Sequence, residues 1–219
     1  MTRFFRRDSA DLAYDDEGHG NPLVLLHAGV ADRRGWRSQI DHFRATNRVV
    51  AYDRRGYGET RAEQGAAYSQ VDDLVGLLDE LQIERCVLVG NSQGGRIAVD
   101  CARAHPTRIA GLVLIATAIS GISVGEDDLD REELPIFVAI DEADERGYMD
   151  EVNRLEARLW LDGPCAPEGR VGGIERGLFL EMNGIALAHP DSQDEQEPPS
   201  AVNDLRRIAV PTLVLCGDL

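Results

Sequence analysis

Seven residues, Val89-Gly90-Asn91-Ser92-Gln93-Gly94-Gly95, constrain this chain more than any other stretch. A short apolar run precedes them, and a helix-like stretch follows. Gly-x-Ser-x-Gly between a strand and a helix describes a very tight turn with a serine at its tip. Gly90 and Gly94 stand two residues to either side of Ser92, where a Cβ would collide across the turn. Gly95 lets the new helix approach the neighbouring strand. Ser92 is thereby pushed towards solvent at a helix N-terminus, which favours developing negative charge. The phosphate-binding alternatives fail on residue identity. A Walker-type loop needs Gly-Lys-Ser/Thr, and all 23 basic residues of this chain are arginine. The dinucleotide fingerprint needs Gly-x-Gly-x-x-Gly after the first strand, and here Asn91-Ser92 interrupts it.

The turn sits within an α/β alternation. Apolar runs at Leu23–Leu26, Arg48–Tyr52, Cys86–Val89, Leu112–Ala116 and Thr212–Cys216 have the length of strands covered on both faces. Arg3–Arg7 and Asp11–Asp15 read as a pair of edge strands ahead of them. Between Tyr68 and Leu81, Val71, Leu74, Val75, Leu78 and Leu81 recur at spacings of three and four, an apolar helical stripe with Ser69 as N-cap. Gly94–His105 is a second helix, stopped before Pro106, and Trp36–Phe43 a shorter third. The pattern predicts a mostly parallel sheet with helices on its faces.

The alternation stops after Ala116. Residues 119–209 carry 22 acidic side chains against 8 arginines, a net of −14, whereas the rest of the chain nets −2. This segment reads as helices over Asp130–Glu145, Met149–Trp160 and Val171–His189, followed by a polar linker, Asp191–Ser200. The predicted organisation is a core of residues 1–118 and 210–219 and an acidic helical insertion of 119–209. A net charge of −16 repels phosphate backbones and argues against a nucleic-acid partner. No apolar run is long enough for a membrane span, and the N-terminal stretch has no signal-like apolar region. Cys86, Cys101, Cys165 and Cys216 form no Cys-x-x-Cys pair, so no metal site is expected. Free buried thiols fit a reducing, cytoplasmic setting.

At this point the chain resembles the α/β-hydrolase fold family, in its serine-nucleophile branch with a helical cap. Leu25-Leu26-His27-Ala28-Gly29 is similar to the family's strand-end His-Gly-x motif, with Ala28 in place of the usual glycine. Asp53-Arg54-Arg55-Gly56-Tyr57-Gly58 resembles its Asp-x-Arg-Gly-x-Gly turn. Ala104-His105-Pro106 and Ile109–Leu114 look like its post-elbow helix and next strand, and Pro211–Asp218 like the strand leading to the catalytic acid. The resemblance implies Ser92 as nucleophile, Gly29 and Gln93 as oxyanion-hole amides, and Gly90, Gly94 and Gly95 as structural parts of the elbow.

It also implies a catalytic acid one residue past Leu219 and a histidine about 30 residues further on, after another strand and helix. Asp218 is the nearest acid in this sequence, one step early. Of the five histidines, His27 reads as a structural or oxyanion-loop residue, His105 as a helix cap, His42 and His19 as surface positions, and His189 as the one conceivable relocated base. The expectation is therefore a core lacking its last elements and a 219-residue chain that is catalytically crippled, either cut from a longer enzyme or a natural pseudoenzyme.

The implied reaction is acyl transfer to water on a small ester or lactone, in a pocket beneath the cap, with no cofactor. Carbon–carbon bond or amide hydrolysis, or a non-catalytic binding role, are the alternatives. The partner is a small acyl substrate; a homo-oligomer stays open. An anionic substrate would need Arg33, Arg34 or Arg54 to face the pocket. Leu155, Leu159, Trp160, Leu178, Phe179 and Met182 form either an apolar slot or the insertion's own packing stripe.

Overall fold

The computed structural model describes residues 2–123, 125, 128–189, 194–196 and 198–217. β1 (Arg3–Arg7) and β2 (Ala10–Gly18) form an antiparallel hairpin. β2 then pairs antiparallel with β4 (Asn47–Tyr52). From β4 onward the sheet is parallel, through β3 (Asn21–Leu26), β6 (Cys86–Asn91), β7 (Ile109–Ile115) and β8 (Thr212–Leu215). The resulting order is β1-β2-β4-β3-β6-β7-β8, with the two-residue β5 (Arg61–Ala62) attached to β2. β6 is central, with β3 and β7 on either side, so a residue at its C-terminal end sits at the middle of the sheet's upper rim.

Helices cover both faces, as the continuous apolar runs require. α2 (Gln70–Glu80) and α3 (Gln93–Ala104) bury Leu74, Leu77, Leu78, Ile97 and Cys101 against Val24, Val50, Leu88 and Leu112 on one face. On the other, a 3₁₀ turn (Arg33–Trp36) and α1 (Arg37–Phe43) place Trp36 and Ile40 on Leu25, Val49 and Ala51. Ser69 caps α2, its hydroxyl accepting from the Asp72 N–H at 3.2 Å. β8 departs from the expectation of a doubly covered strand. Its four residues are all exposed, Val214 by 64%, because no helix among the described residues lies over it.

Between β7 and β8 the chain is helical, with no strand among its described residues beyond one bridge from Glu195 to Tyr68. α4 runs Leu134–Glu145, starting four residues later than the acidic run suggests, because Pro135 is tolerated only in a first turn. α5 runs Met149–Glu156 and continues as a π-helical turn over Ala157–Asp162. α6 runs Gly173–Ala188. α6 meets the loops at the C-terminal ends of β3 and β4: Glu181 pairs with Arg34, and His189 lies beside Gly56. These helices therefore form a cap over the rim on which β6 ends. Leu155, Leu159, Phe179 and Met182 are buried, Trp160 stacks edge-on against Phe137, and none of the six apolar candidates lines the large cavity described below. The packing-stripe alternative fits the four buried residues, whereas Trp160 is 54% exposed.

All four cysteines are free. Cys86 and Cys101 are buried, and burial pushes both thiols up to about 12. Cys165 and Cys216 are exposed, contrary to the expectation for Cys216, which shares the uncovered position of β8. No helix among the described residues is long and apolar enough to cross a membrane.

The turn after β4 is held by a buried ion pair. Arg55 donates from Nε and Nη2 to the two carboxylate oxygens of Asp73 on α2, at 2.7 and 2.9 Å, with both side chains 3% exposed. Arg55→Met strands the Asp73 charge and should cost about 3–5 kcal/mol of stability in urea unfolding. Arg55→Met combined with Asp73→Leu should recover most of that loss. A double variant no more stable than the single would contradict the pairing.

Candidate active site

Ser92 sits between β6 and α3 with φ 51° and ψ −115°, a left-handed conformation that costs a non-glycine residue of order 1–3 kcal/mol. Its backbone is held on every side. The Ser92 N–H donates to the Ile115 carbonyl on β7 at 2.9 Å, and its own carbonyl accepts from Gly95, Arg96 and Ala118. The glycines act as the spacing suggests. A Cβ on Gly90 would lie 2.6 Å from the Gly95 Cα, and one on Gly94 would lie 2.7 Å from the His27 carbonyl oxygen. A Cβ on Gly95 would come within 2.9 Å of the Thr117 Cβ. The first two collisions are with backbone, which cannot swing aside.

The first N–H groups of a helix have no intrahelical acceptor, and Gln93, directly after Ser92, is the first residue of α3. Across the rim, the loop after β3 brings Gly29 against the same helix start. A Cβ there would lie 2.8 Å from the Gln93 Nε2, so the two candidate oxyanion residues are in contact. His27 is buried behind them. Its Nε2 accepts from the Arg54 N–H at 3.1 Å, so Nδ1 carries the proton and donates to the Ala28 carbonyl at 2.8 Å. Burial first, and the Arg54 charge second, hold this imidazole well below its ordinary pKa of 6.5, against a smaller opposing pull from the Ala28 carbonyl. His27 is thus a neutral structural group with both ring nitrogens occupied.

The 53–58 turn supports this loop. Asp53 accepts from the N–H groups of Arg33 and Glu59, each at 2.8 Å, and from the Arg33 guanidinium. Burial pushes its carboxyl up to about 6 in spite of these partners. Arg33 and Arg34 are consumed by carboxylates: Asp53, Glu59 and Asp15 for the first, Asp32 and Glu181 for the second. Arg54 is the exception. It is 1% exposed, has no carboxylate within 4.0 Å among the described residues, and faces the Tyr57 ring at 4.3 Å.

A cavity of about 1420 Å³ lies between this rim and the cap. Arg54, Tyr57, Gln93, Ala118, Ile119 and His189 are in its wall. Of the site residues expected against this pocket only Gln93 is in its wall; the half-buried Ser92 and Gly29 are not. His189 is exposed at the end of α6, with Nδ1 bonded to the Ile185 carbonyl at 2.9 Å. Among the described residues none of the five histidines is hydrogen-bonded to Ser92. Asp218 lies outside the described residues. Among the described residues no cluster of histidine, cysteine and carboxylate side chains could hold a metal. What sequence reasoning missed is the role of Arg54, because an arginine in a polar turn gives no sign that it will be buried.

A buried neutral histidine makes stability pH-dependent. The unfolded chain takes up a proton near pH 6.5 and the folded one does so only well below it. Stability is therefore full above about pH 6.5 and falls as the pH drops, by up to about 1.4 kcal/mol per pH unit for this one proton. His27→Gln, which keeps a donor and an acceptor but cannot titrate here, should show a shallower fall between pH 7 and 5 in urea unfolding. Equal slopes for both proteins would refute the assignment.

The geometry agrees with comparisons to known proteins. Residues 23–218 match the alpha/beta hydrolase family. A non-heme chloroperoxidase of Streptomyces lividans is 31% identical over 227 residues, 96% of this chain and 79% of that protein. The 2-hydroxymuconate semialdehyde hydrolase of Pseudomonas sp. (strain CF600) is 40% identical over 109 residues, which cover 47% of this chain and only 38% of that protein. Among solved structures, a thermophilic esterase from Thermogutta terrifontis superposes with a TM-score of 0.71 at 26% identity, covering 100% of this chain and 80% of that one. A strained serine at a strand-to-helix turn and a helical cap over the parallel sheet agree with this match: the chain belongs to the alpha/beta hydrolase family.

Proposed function

We propose that this protein hydrolyses a small carboxylic ester or lactone through an acyl-enzyme on Ser92. The observation that carries this reading is the backbone of Ser92. Ser92 holds φ 51° at the tip of a strand-to-helix turn whose flanking Gly90 and Gly94 leave no room for a Cβ, which agrees with a hydroxyl placed for use. The Oγ attacks the substrate carbonyl; the amides of Gly29 and Gln93 receive the developing oxyanion; the alcohol departs, and water then releases the acid. The acidic insertion, taken as 119–209, forms the other wall of the substrate cavity. The similarity to the Thermogutta terrifontis esterase supports the ester as substrate class.

The attacking hydroxyl needs a proton acceptor, and no histidine among the described residues is bonded to it. The reading is that the 219 residues alone turn over esters slowly, for want of a base and not for want of a nucleophile or an oxyanion hole.

Free imidazole can stand in for a missing base. Hydrolysis of 4-nitrophenyl butyrate by the purified chain should therefore be slow and rise with added imidazole, above the imidazole-only background. The imidazole-stimulated component should vanish in Ser92→Ala. Equal rates for the wild type and Ser92→Ala would remove Ser92 from the chemistry. A fast wild-type rate that imidazole does not change, and that Ser92→Ala abolishes, would place the base within these residues, with His189 the first to replace.

A further inference from the structure

Arg54 has no carboxylate partner among the described residues, yet it is almost fully buried, and its Nε lies buried with no hydrogen-bond partner. Its two terminal nitrogens are both used. Nη1 donates to the side-chain Oε1 of Gln93 at 3.0 Å, and Nη2 donates to the main-chain carbonyl of Ala28 at 3.2 Å. These acceptors belong to the two segments that supply the proposed oxyanion amides. One planar guanidinium therefore ties the loop after β3 to the start of α3.

The Ala28 contact has a specific geometric effect. The Ala28–Gly29 peptide is trans and planar, so its C=O and N–H point in opposite directions. The Ala28 oxygen is held by two buried donors, Arg54 Nη2 and His27 Nδ1. Holding the oxygen against these buried groups turns the Gly29 N–H away from them. The Gln93 side chain, pinned at its oxygen by Arg54, lies against Gly29 and closes the other side of the same peptide. Without these contacts that peptide could rotate and turn its carbonyl to the rim, which would withdraw one donor.

We propose that Arg54 is a positioning residue that sets the orientation of the Gly29 amide and braces Gln93, and so preassembles the site for the negative charge that develops on substrate oxygen. The proposal rests on the assignment of Gly29 and Gln93 under the proposed function. It predicts that Arg54 acts on the transition state and leaves ground-state binding almost alone.

The test pairs kinetics with amide spectroscopy on the purified chain, using 4-nitrophenyl butyrate with imidazole. Removing one oxyanion donor outright costs about 10²–10³ in kcat, and loosening one costs less. Arg54→Met should lower kcat by about 10- to 100-fold with KM within about threefold. The 15N–1H resonances of Gly29 and Gln93 should shift. Millimolar guanidinium should restore part of the rate in Arg54→Gly, where the cavity it fits has been opened. If Arg54→Met does not fold, Gln93→Met keeps the amide and breaks the same brace from its other end, and should move the Gly29 resonance.

Unmoved Gly29 and Gln93 resonances in these variants, or a loss of rate that follows loss of folded protein, would overturn the proposal and leave Arg54 as packing. Shifted resonances with an unchanged Ser92-dependent rate would sustain the positioning role and count against the oxyanion assignment. Failure to find any Ser92-dependent rate would count against the proposed function, and the spectra would still decide on Arg54.

Discussion

α3 begins where it does because three positions around Ser92 lack a Cβ. The backbone of Gly94 runs against the carbonyls of Leu26 and His27, and Gly90 runs against Gly94 and Gly95. This contact is main chain on main chain, so no rotamer change can relieve a side chain placed there. It sets the height of α3 above the sheet, and with it the seating of Ile97, Ala98 and Cys101 in the larger core cluster. It also sets the distance from the helix start to the loop after β3, on which the close approach of Gln93 and Gly29 depends. Core packing and the candidate site rest on the same contact.

The arginines show how one residue type can fill unlike roles under a net charge of −16. Arg33 and Arg55 are buried against carboxylates and hold the turn after β4. Arg34 reaches Glu181 on α6, and Arg96 of α3 reaches Glu195 beyond it, so the core and the capping segment are joined by ion pairs. Such partly exposed pairs contribute little each, about 0–1 kcal/mol. Arg54 uses neutral oxygens and an aromatic face instead, so it keeps its charge in a cavity wall where Arg55 and Arg96 are paired with carboxylates and Arg61 lies over the Phe4 ring.

The parts of this fold that were legible in sequence are those fixed by local periodicity or by sterics. The five apolar runs became β3, β4, β6, β7 and β8, and the three-and-four spacing of Leu74 and Leu78 became α2. Ser92 and its glycines were legible because a tight turn leaves few residues that fit. Pattern alone did not reveal β5, since two residues pairing with β2 have no period to detect. The π-helical turn at Ala157–Asp162 was equally hidden: it depends on Asp162 capping the amides of Gly169 and Val171, a contact across the following loop. The exposure of β8 was invisible because an apolar run reports what a strand can bury and says nothing of what lies beside it. Arg54 was singled out as a residue that could face a pocket, but its bonds to Ala28 and Gln93 arise only when separate loops meet.

The dihedrals of Ser92 bear on how this sequence can drift. Glycine adopts positive φ without a Cβ penalty, so at this position it is the residue that folding alone would favour. Selection for stability therefore pushes the site towards glycine, and only selection for the hydroxyl opposes it. A lineage that stopped using the serine would gain stability by losing it, and the substitution would be retained as neutral or better. The serine at φ 51° is thus a ratchet set against its own fold. The angle carries this weight only at the glycine-flanked turn, since Asp8, Gln82 and Ala116 also hold positive φ.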